Sequence, residues 1–218
     1  MSNYRISGSI PYHGTTTVGL VCLDGVVFST DTRAMAGGYF IAHKRVKKIL
    51  KVDDHLGMTI AGAVADAQNV VDILRYYANI YRVEKRTPMP VKSAARLTST
   101  VFFSSRLFPY IADVLVGGYD LSGFSVYNID LFGSLTEAKY VSTGSGSPVA
   151  YGILESEFKE GMPLSEAVPL AVKAVTAAMK RNAGTGDNFD VAVITKEGFQ
   201  ELSEEQKDEI LNRISRRA

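Results

Sequence analysis

The chain contains no tryptophan, one cysteine and three histidines in 218 residues. A single thiol, Cys22, can build neither a disulfide framework nor a cysteine-based zinc site, and its apolar surroundings read as those of a buried, inert group. His13, His43 and His55 are scattered along the chain and no HExxH pattern occurs, so no metal site is expected. Neither sign of charge is in excess: Lys and Arg number 24, Asp and Glu 23, for a formal net charge of +1. Without a basic field, a role built on nucleic-acid phosphates is disfavoured. No apolar run approaches the roughly 18 residues of a membrane span. Met1–Gly14 carries Arg5 as its one charge and has no apolar centre, so it does not read as a secretory signal. The expectation is a cytoplasmic protein with no membrane association. The glycine patterns of P-loops and dinucleotide sites are absent, as is the GxSxG elbow, and no cofactor is implied.

What is present is ordinary globular material. Hydrophobic residues make up 46% and charged residues 22%, and a chain of this length buries roughly 70% of its unfolded surface without a covalent staple. Residues 1–14 are rich in Ser, Gly, Pro and Tyr without period, and read as a leader. From Thr15 the character changes. Thr15–Leu23 and Val26–Thr30 read as two strands joined at Asp24-Gly25, a strong hairpin signal. Val46–Val52 and Leu56–Ile60 form a second pair around Asp53-Asp54-His55. Val70, Leu74, Tyr77, Ala78 and Tyr81 recur at helical spacing, predicting a helix over Asp66–Glu84. A second is expected over Val91–Phe108, with Ala94, Leu97, Val101 and Leu107 buried. Strands are expected at Val114–Tyr119, Ser125–Asp130 and Ala138–Ser142, with Gly117-Gly118 and Asp130–Gly133 near bends. Helices follow at Pro148–Phe158 and Leu164–Met179, then a strand at Asp190–Thr195. Ser203-Glu204-Glu205-Gln206 is a capping box opening a terminal helix, with Arg213, Arg216 and Arg217 late in it. Blocks of strands alternating with blocks of helices argue α+β with antiparallel sheets covered on their outer faces.

The chemistry concentrates at Gly14-Thr15. Three threonines make an ordinary strand start, but cleavage before Thr15 would place a free α-amine beside its own hydroxyl. Such an amine has an unperturbed pKa of about 7.7–8.0 and can act as base near neutral pH. Thr with its N-terminal amine is a known activated nucleophile. Gly14 leaves its carbonyl open to the neighbouring hydroxyl. A nearby cation is then needed, and Lys47-Lys48 offers one: in strand alternation one of the two points inward. A buried lysine must be paired, and Asp31 can supply the carboxylate. The run Ser142–Pro148 precedes a helix and reads as a turn with an N-cap that also brings hydroxyls and amides to a site. Gly186–Asp190 lacks the spacing of a calcium loop and reads as turn chemistry before a strand.

Taken in order, Gly14–Gly19, Asp31-Thr32-Arg33-Ala34, Val46–Ile49, Gly57–Gly62, Ser142–Pro148 and Asp190–Ile194 resemble the β-type subunits of the proteasome core particle, the archaeal ones most. The resemblance runs from about Gly14 to the terminal helix. It implies the N-terminal-nucleophile hydrolase fold, a four-layer αββα sandwich of two antiparallel sheets between helix layers. It also implies a leader at 1–14 removed autocatalytically at Gly14-Thr15 and a single catalytic domain at 15–218 with threonine endopeptidase activity. The implied assembly is one of stacked seven-membered rings with α subunits and other β subunits. A regulatory ATPase would act through the α ring, and unfolded polypeptide would be the substrate.

Carried onto this sequence, the resemblance makes Thr15 the nucleophile, Asp31 and Lys48 the charged pair, and the Gly62 amide the oxyanion donor. Lys48 is chosen over Lys47 because the family's lysine directly precedes an apolar residue, here Ile49. The match requires one extra residue within Ala36–Phe40. Arg33 and Ser145 take supporting places. Ala34, Met35, Val46, Ile60 and Val64 fall in the substrate pocket, whose apolar lining implies cleavage after hydrophobic residues. Three positions depart from the family pattern: Asn182 replaces a supporting aspartate, Thr185 a serine, and Met35 a threonine of the substrate-contacting segment. An active peptidase is expected, and the alternative, favoured by Asn182 and Met35, is a ring-building β subunit that is weakly active or does not cut and scaffolds an active partner β subunit. A bacterial self-compartmentalising peptidase without α subunits fits the length and the terminal helix less well.

Overall fold

The computed structural model describes residues 14–216. The leader, apart from Gly14, and Arg217 of the terminal-helix reading therefore lie outside the described residues. Two five-stranded antiparallel sheets dominate. The first has the order β10-β1-β2-β11-β12, and the second β5-β6-β7-β8-β9. In chain order these are β1 (Thr17–Val21), β2 (Val26–Asp31), β5 (Ile49–Asp53), β6 (Leu56–Gly62), β7 (Ala112–Asp120), β8 (Gly123–Ile129), β9 (Leu135–Ala138), β10 (Tyr140–Thr143), β11 (Phe189–Thr195) and β12 (Gly198–Glu201). A small hairpin of β3 (Ala34–Ala36) and β4 (Phe40–His43) stands apart. The helices are α1 (Val64–Lys85), α2 (Val91–Ser104), α3 (Ser147–Glu157), α4 (Leu164–Arg181) and α5 (Glu204–Ser215).

Three apolar clusters correspond to the three interfaces of four stacked layers. Val26, Phe28, Leu115, Val126, Ala192 and Ile194 pack sheet against sheet. Met58, Ile60, Val114 and Val116 pack the second sheet against α1 and α2. Val18, Leu20, Val27 and Val191 pack the first against α3 and α4. The period of two is visible within β2, where Val27 faces the helices and Phe28 the other sheet. Strands covered on both faces explain the unbroken burial of β1 and β2. This is the α+β, four-layer αββα sandwich that the resemblance implies.

Several sequence expectations need correction. Gly117 and Gly118 lie inside β7, within the strand expected there, and their role is one of packing. A Cβ at Gly117 would press on the Phe28 ring, and one at Gly118 would run into the His55 carbonyl, so these glycines permit close layer and strand packing. The strand expected at Ala138–Ser142 is two strands in different sheets. β9 pairs with β8 and β10 with β1, the chain changing sheets at Lys139. α2 ends at Ser104, and Leu107 is 83% exposed rather than buried. Tyr77 lies on the exposed flank of α1. Residues 46–48 precede β5 rather than belonging to it, and Thr15 and Thr16 precede β1.

Local devices hold the layers in place. Asp24, in the β1–β2 turn, accepts a hydrogen bond from the Leu164 amide at 2.8 Å and so fastens the start of α4 to the hairpin. Pro169 inside α4 cannot donate to the Ser165 carbonyl. The Arg213 guanidinium of α5 donates to that oxygen instead, at 3.2 Å, docking the terminal helix. The capping box forms as read, with Ser203 Oγ accepting from Gln206 N and Gln206 Oε1 from Ser203 N. No helix among the described residues is long and apolar enough to cross a membrane.

Candidate active site

The open ends of β1, β2 and β10 meet the turn after α4, and the predicted polar residues converge there. Thr15 is 3% exposed. Its Oγ1 donates to the Gly14 carbonyl oxygen at 2.6 Å, so the hydroxyl lies against the peptide group that precedes it. A Cβ on Gly14 would collide with Gly184, which shows how tightly the chain enters the site.

Asp31, at the end of β2, is fully buried and uses both carboxylate oxygens. Oδ1 accepts from the Thr16 amide and from Lys48 Nζ, each at 2.8 Å. Oδ2 accepts from the Arg33 and Gly186 amides, each at 3.1 Å. Four donors offset the cost of taking this charge out of water. Lys48 is itself 2% exposed, whereas Lys47 points outward to Glu201 at 2.5 Å, so the one-inward, one-outward expectation holds although both residues precede β5. Burial pushes the Lys48 pKa down, and the Asp31 carboxylate draws it part of the way back.

The Gly/Ser loop before α3 works differently from a helix cap. The N-cap is Gly146, with no side-chain cap bond. Ser145 Oγ instead donates to Asn182 Oδ1 at 2.9 Å and faces the Thr15 nitrogen at 3.4 Å. Asn182 Oδ1 also accepts from the Gly184 amide and from Thr185 Oγ1, at 3.1 and 3.0 Å. Its Nδ2 donates to the Ser145 carbonyl at 3.1 Å, a bond a carboxylate could not make. Since Thr185 donates to Asn182, its oxygen accepts from Thr16 Oγ1 at 2.7 Å. The two departures at 182 and 185 therefore join one closed network around Thr15 and Thr16.

The remaining residues are placed by backbone. Gly62 ends β6 with φ 119°, and a Cβ there would strike the Ile111 carbonyl, so only glycine fits. Val46 N donates to Thr32 O at 2.8 Å and Ile60 N to Lys48 O at 3.0 Å, which brings both chains to the end of the sandwich where Asp31 lies. Met35, in β3, is 8% exposed, and Ala34, Val46 and Val64 are half-buried. Ile60 turns its side chain into the outer core with Val70 and Val71.

Sequence reasoning did not single out Asp187 as part of the site. It adopts φ 66° and pairs with Arg33 Nε at 2.8 Å, while Arg33 Nη1 donates to Ala183 O at 2.7 Å. That bond from Arg33 holds the Asp187 carboxyl below its usual range. The signal was the Gly186-Asp187-Asn188 turn, since aspartate tolerates the left-handed region. The sequence pattern places Thr16 only in a strand start and in the Gly14–Gly19 motif, yet its amide and hydroxyl bind Asp31 and Thr185.

The sequence matches the family described as Proteasome subunit over residues 12–194. It is 55% identical over 199 residues to "Proteasome subunit beta 2" of Nitrosopumilus maritimus, covering 91% of this chain and 94% of that one. "Proteasome subunit beta 2" of Cenarchaeum symbiosum is 54% identical over the same shares. "Proteasome subunit beta" of Archaeoglobus profundus is 47% identical, covering 94% of this chain and 95% of that one. With motifs, layers and relatives in agreement over most of its length, the chain belongs to the proteasome subunit family, as a β-type subunit like those of archaea.

Proposed function

We propose that this subunit is a threonine endopeptidase that frees its own nucleophile. The observation that carries the proposal is the contact of Thr15 Oγ1 with the Gly14 carbonyl beside a buried Lys48–Asp31 pair. The hydroxyl oxygen adds to the Gly14 carbonyl carbon, the C–N bond to Thr15 breaks, and the acyl group passes from nitrogen to oxygen. Water then hydrolyses the ester, releasing residues 1–14 as a carboxylic acid and Thr15 with a free amine.

In turnover that amine takes the Thr15 hydroxyl proton as Oγ1 attacks a substrate carbonyl. The Gly62 amide faces the developing oxyanion. The amine returns the proton to the leaving nitrogen, and water resolves the acyl-enzyme. Asp31 fixes the Thr15–Thr16 backbone and balances the Lys48 charge, and Lys48 in turn lowers the energy of negative charge near Oγ1. Ser145, Asn182 and Thr185 hold the amine's surroundings, and Arg33 braces the loop beside Asp31. The apolar residues Ala34, Met35, Val46 and Val64 support cleavage after hydrophobic side chains; Ile60, expected among them, instead packs into the outer core. The names of the relatives, proteasome subunits, support assembly with other subunits into a proteasome; α subunits, stacked rings, a cytoplasmic location and unfolded polypeptide as substrate follow from the family resemblance.

The test is the intact mass of the chain after co-assembly with its α subunits. Loss of residues 1–14, with retention in Thr15→Ala, is the expected result. Retention by the unaltered chain in a complete particle would refute self-cleavage and identify a ring-building subunit instead.

A further inference from the structure

Lys207 is the only buried lysine other than Lys48 among the described residues, at 3% exposure. It lies in α5, outside the Thr15 network. Its ammonium donates to Phe189 O at 3.0 Å and Glu204 Oε1 at 2.9 Å, and reaches Asp190 Oδ1 at 3.4 Å. The nitrogen also stands 5.6 Å from the centre of the Phe189 ring. Three donors meet three acceptors, so the group is fully satisfied. Burying an ammonium is costly unless it is paired, and an apolar side chain often packs as well. What this charge adds is a fixed position for its acceptors.

Those acceptors lead directly to the site. Phe189 is the residue opposite Asp31 in the β11–β2 register. Just before it, the Asn188 carbonyl accepts from Thr32 N at 2.9 Å, and the Gly186 amide donates to Asp31 Oδ2. Asp187, between them, holds Arg33. Lys207 thus grips the end of the segment that supplies an amide to Asp31. Exposed ion pairs run from this cluster and, separately, from β12 to the other arm. Glu204 Oε1, bound to Lys207, also pairs with Arg45, and Glu201 of β12 pairs with Lys47. Arg45 and Lys47 lie in the stretch that delivers Lys48.

We propose that Lys207, together with Glu204, is a positioning residue for the Asp31–Lys48 pair, so that the terminal helix sets the geometry of the reacting end of the sandwich. The proposal rests on the reading of Thr15 as nucleophile, because only then does the placement of that pair govern turnover. Misplacement of reacting groups by about 1 Å can cost ~10²-fold in rate. A partial loosening predicts a smaller effect, with substrate binding little changed.

The experiment compares the assembled particle carrying the unaltered chain, Lys207→Met or Glu204→Gln. Hydrogen exchange is followed across residues 184–190 and 31–33, and hydrolysis of a peptide with an apolar residue before the cut gives kcat and KM. For Lys207→Met the expected result is exchange at least about tenfold faster in those two segments, unchanged in β7–β8, with kcat lower by about tenfold and KM within about twofold. Glu204→Gln, at an exposed position, should move both readouts the same way by about threefold, and it decides the matter if Lys207→Met does not assemble. Unchanged exchange in both segments would overturn the proposal, as would unchanged kcat in an active particle. If the unaltered particle shows no Thr15-dependent hydrolysis, the nucleophile reading fails, and the exchange data still decide whether Lys207 holds these segments.

Discussion

Asp113 sits in β7 opposite Ala61 of β6, and strand alternation puts it on the inter-sheet face with Leu115. Its Oδ1 accepts one hydrogen bond, from Asn128 Nδ2 at 2.9 Å, and no cation among the described residues pairs with it. Burial pushes its pKa from an ordinary 3.8 up to about 6, and the charge of Asp130 adds to that, against the Asn128 bond. The folded state therefore binds the Asp113 proton more tightly than the unfolded chain does. Between pH ~4 and ~6 the folded chain carries more protons at this site, so stability falls as pH rises through that window. Above it the full penalty applies: about 2 pKa units at 1.36 kcal/mol each, or roughly 3 kcal/mol. Asp113→Asn keeps the acceptor for Asn128 and removes the charge. Urea unfolding of the unassembled chain should show the variant more stable by up to ~3 kcal/mol at pH 7.5, with the gain vanishing near pH 4. An equal shift at both pH values would refute the electrostatic reasoning, and so would a variant less stable at pH 7.5.

Three further predictions test the site itself. Lys48→Met leaves the Asp31 carboxylate buried without its cation and should cost ~3–5 kcal/mol of stability as well as self-cleavage; denaturant midpoints and intact mass check this, and a midpoint within error of the unaltered chain would contradict it. Gly62→Ala places a methyl against the Ile111 carbonyl at φ 119°; it should cost about 1–3 kcal/mol and abolish peptide hydrolysis, read by unfolding and turnover side by side. Asn182→Asp adds a negative charge near the freed Thr15 amine, which favours its protonated form; the acid limb of the pH–rate profile should move up by about one unit, and a downward move would show that the amine is not the base.

The polar centre was legible because its chemistry needs particular residue types at short range. Gly14-Thr15, Asp31 and the pair Lys47-Lys48 each stand out within their own local pattern, the choice of Lys48 rests on the family resemblance, and the one-inward, one-outward rule for the two lysines holds in space. The Asp24-Gly25 hairpin, the Ser203 capping box and the long apolar stripes of α1 and α4 were equally local. The small β3–β4 hairpin and the short edge strands β9 and β12 were not, since three or four residues leave too little period to detect.

Other features depend on which surfaces face one another. The sequence by itself determined the kind of elements and the reactive residue types, because hydrophobic period and turn chemistry act over a few residues. Only the tertiary structure decided that the chain changes sheets at Lys139, that Gly117 and Gly118 serve layer and strand packing, and that Ser145 turns from capping α3 to Asn182. It also brought Asp187 to Arg33 across 154 positions and Lys207 to the strand opposite Asp31. Such pairings arise when distant strands come into register. The cost of leaving a buried charge or carbonyl without a partner then selects among arrangements that no local pattern distinguishes.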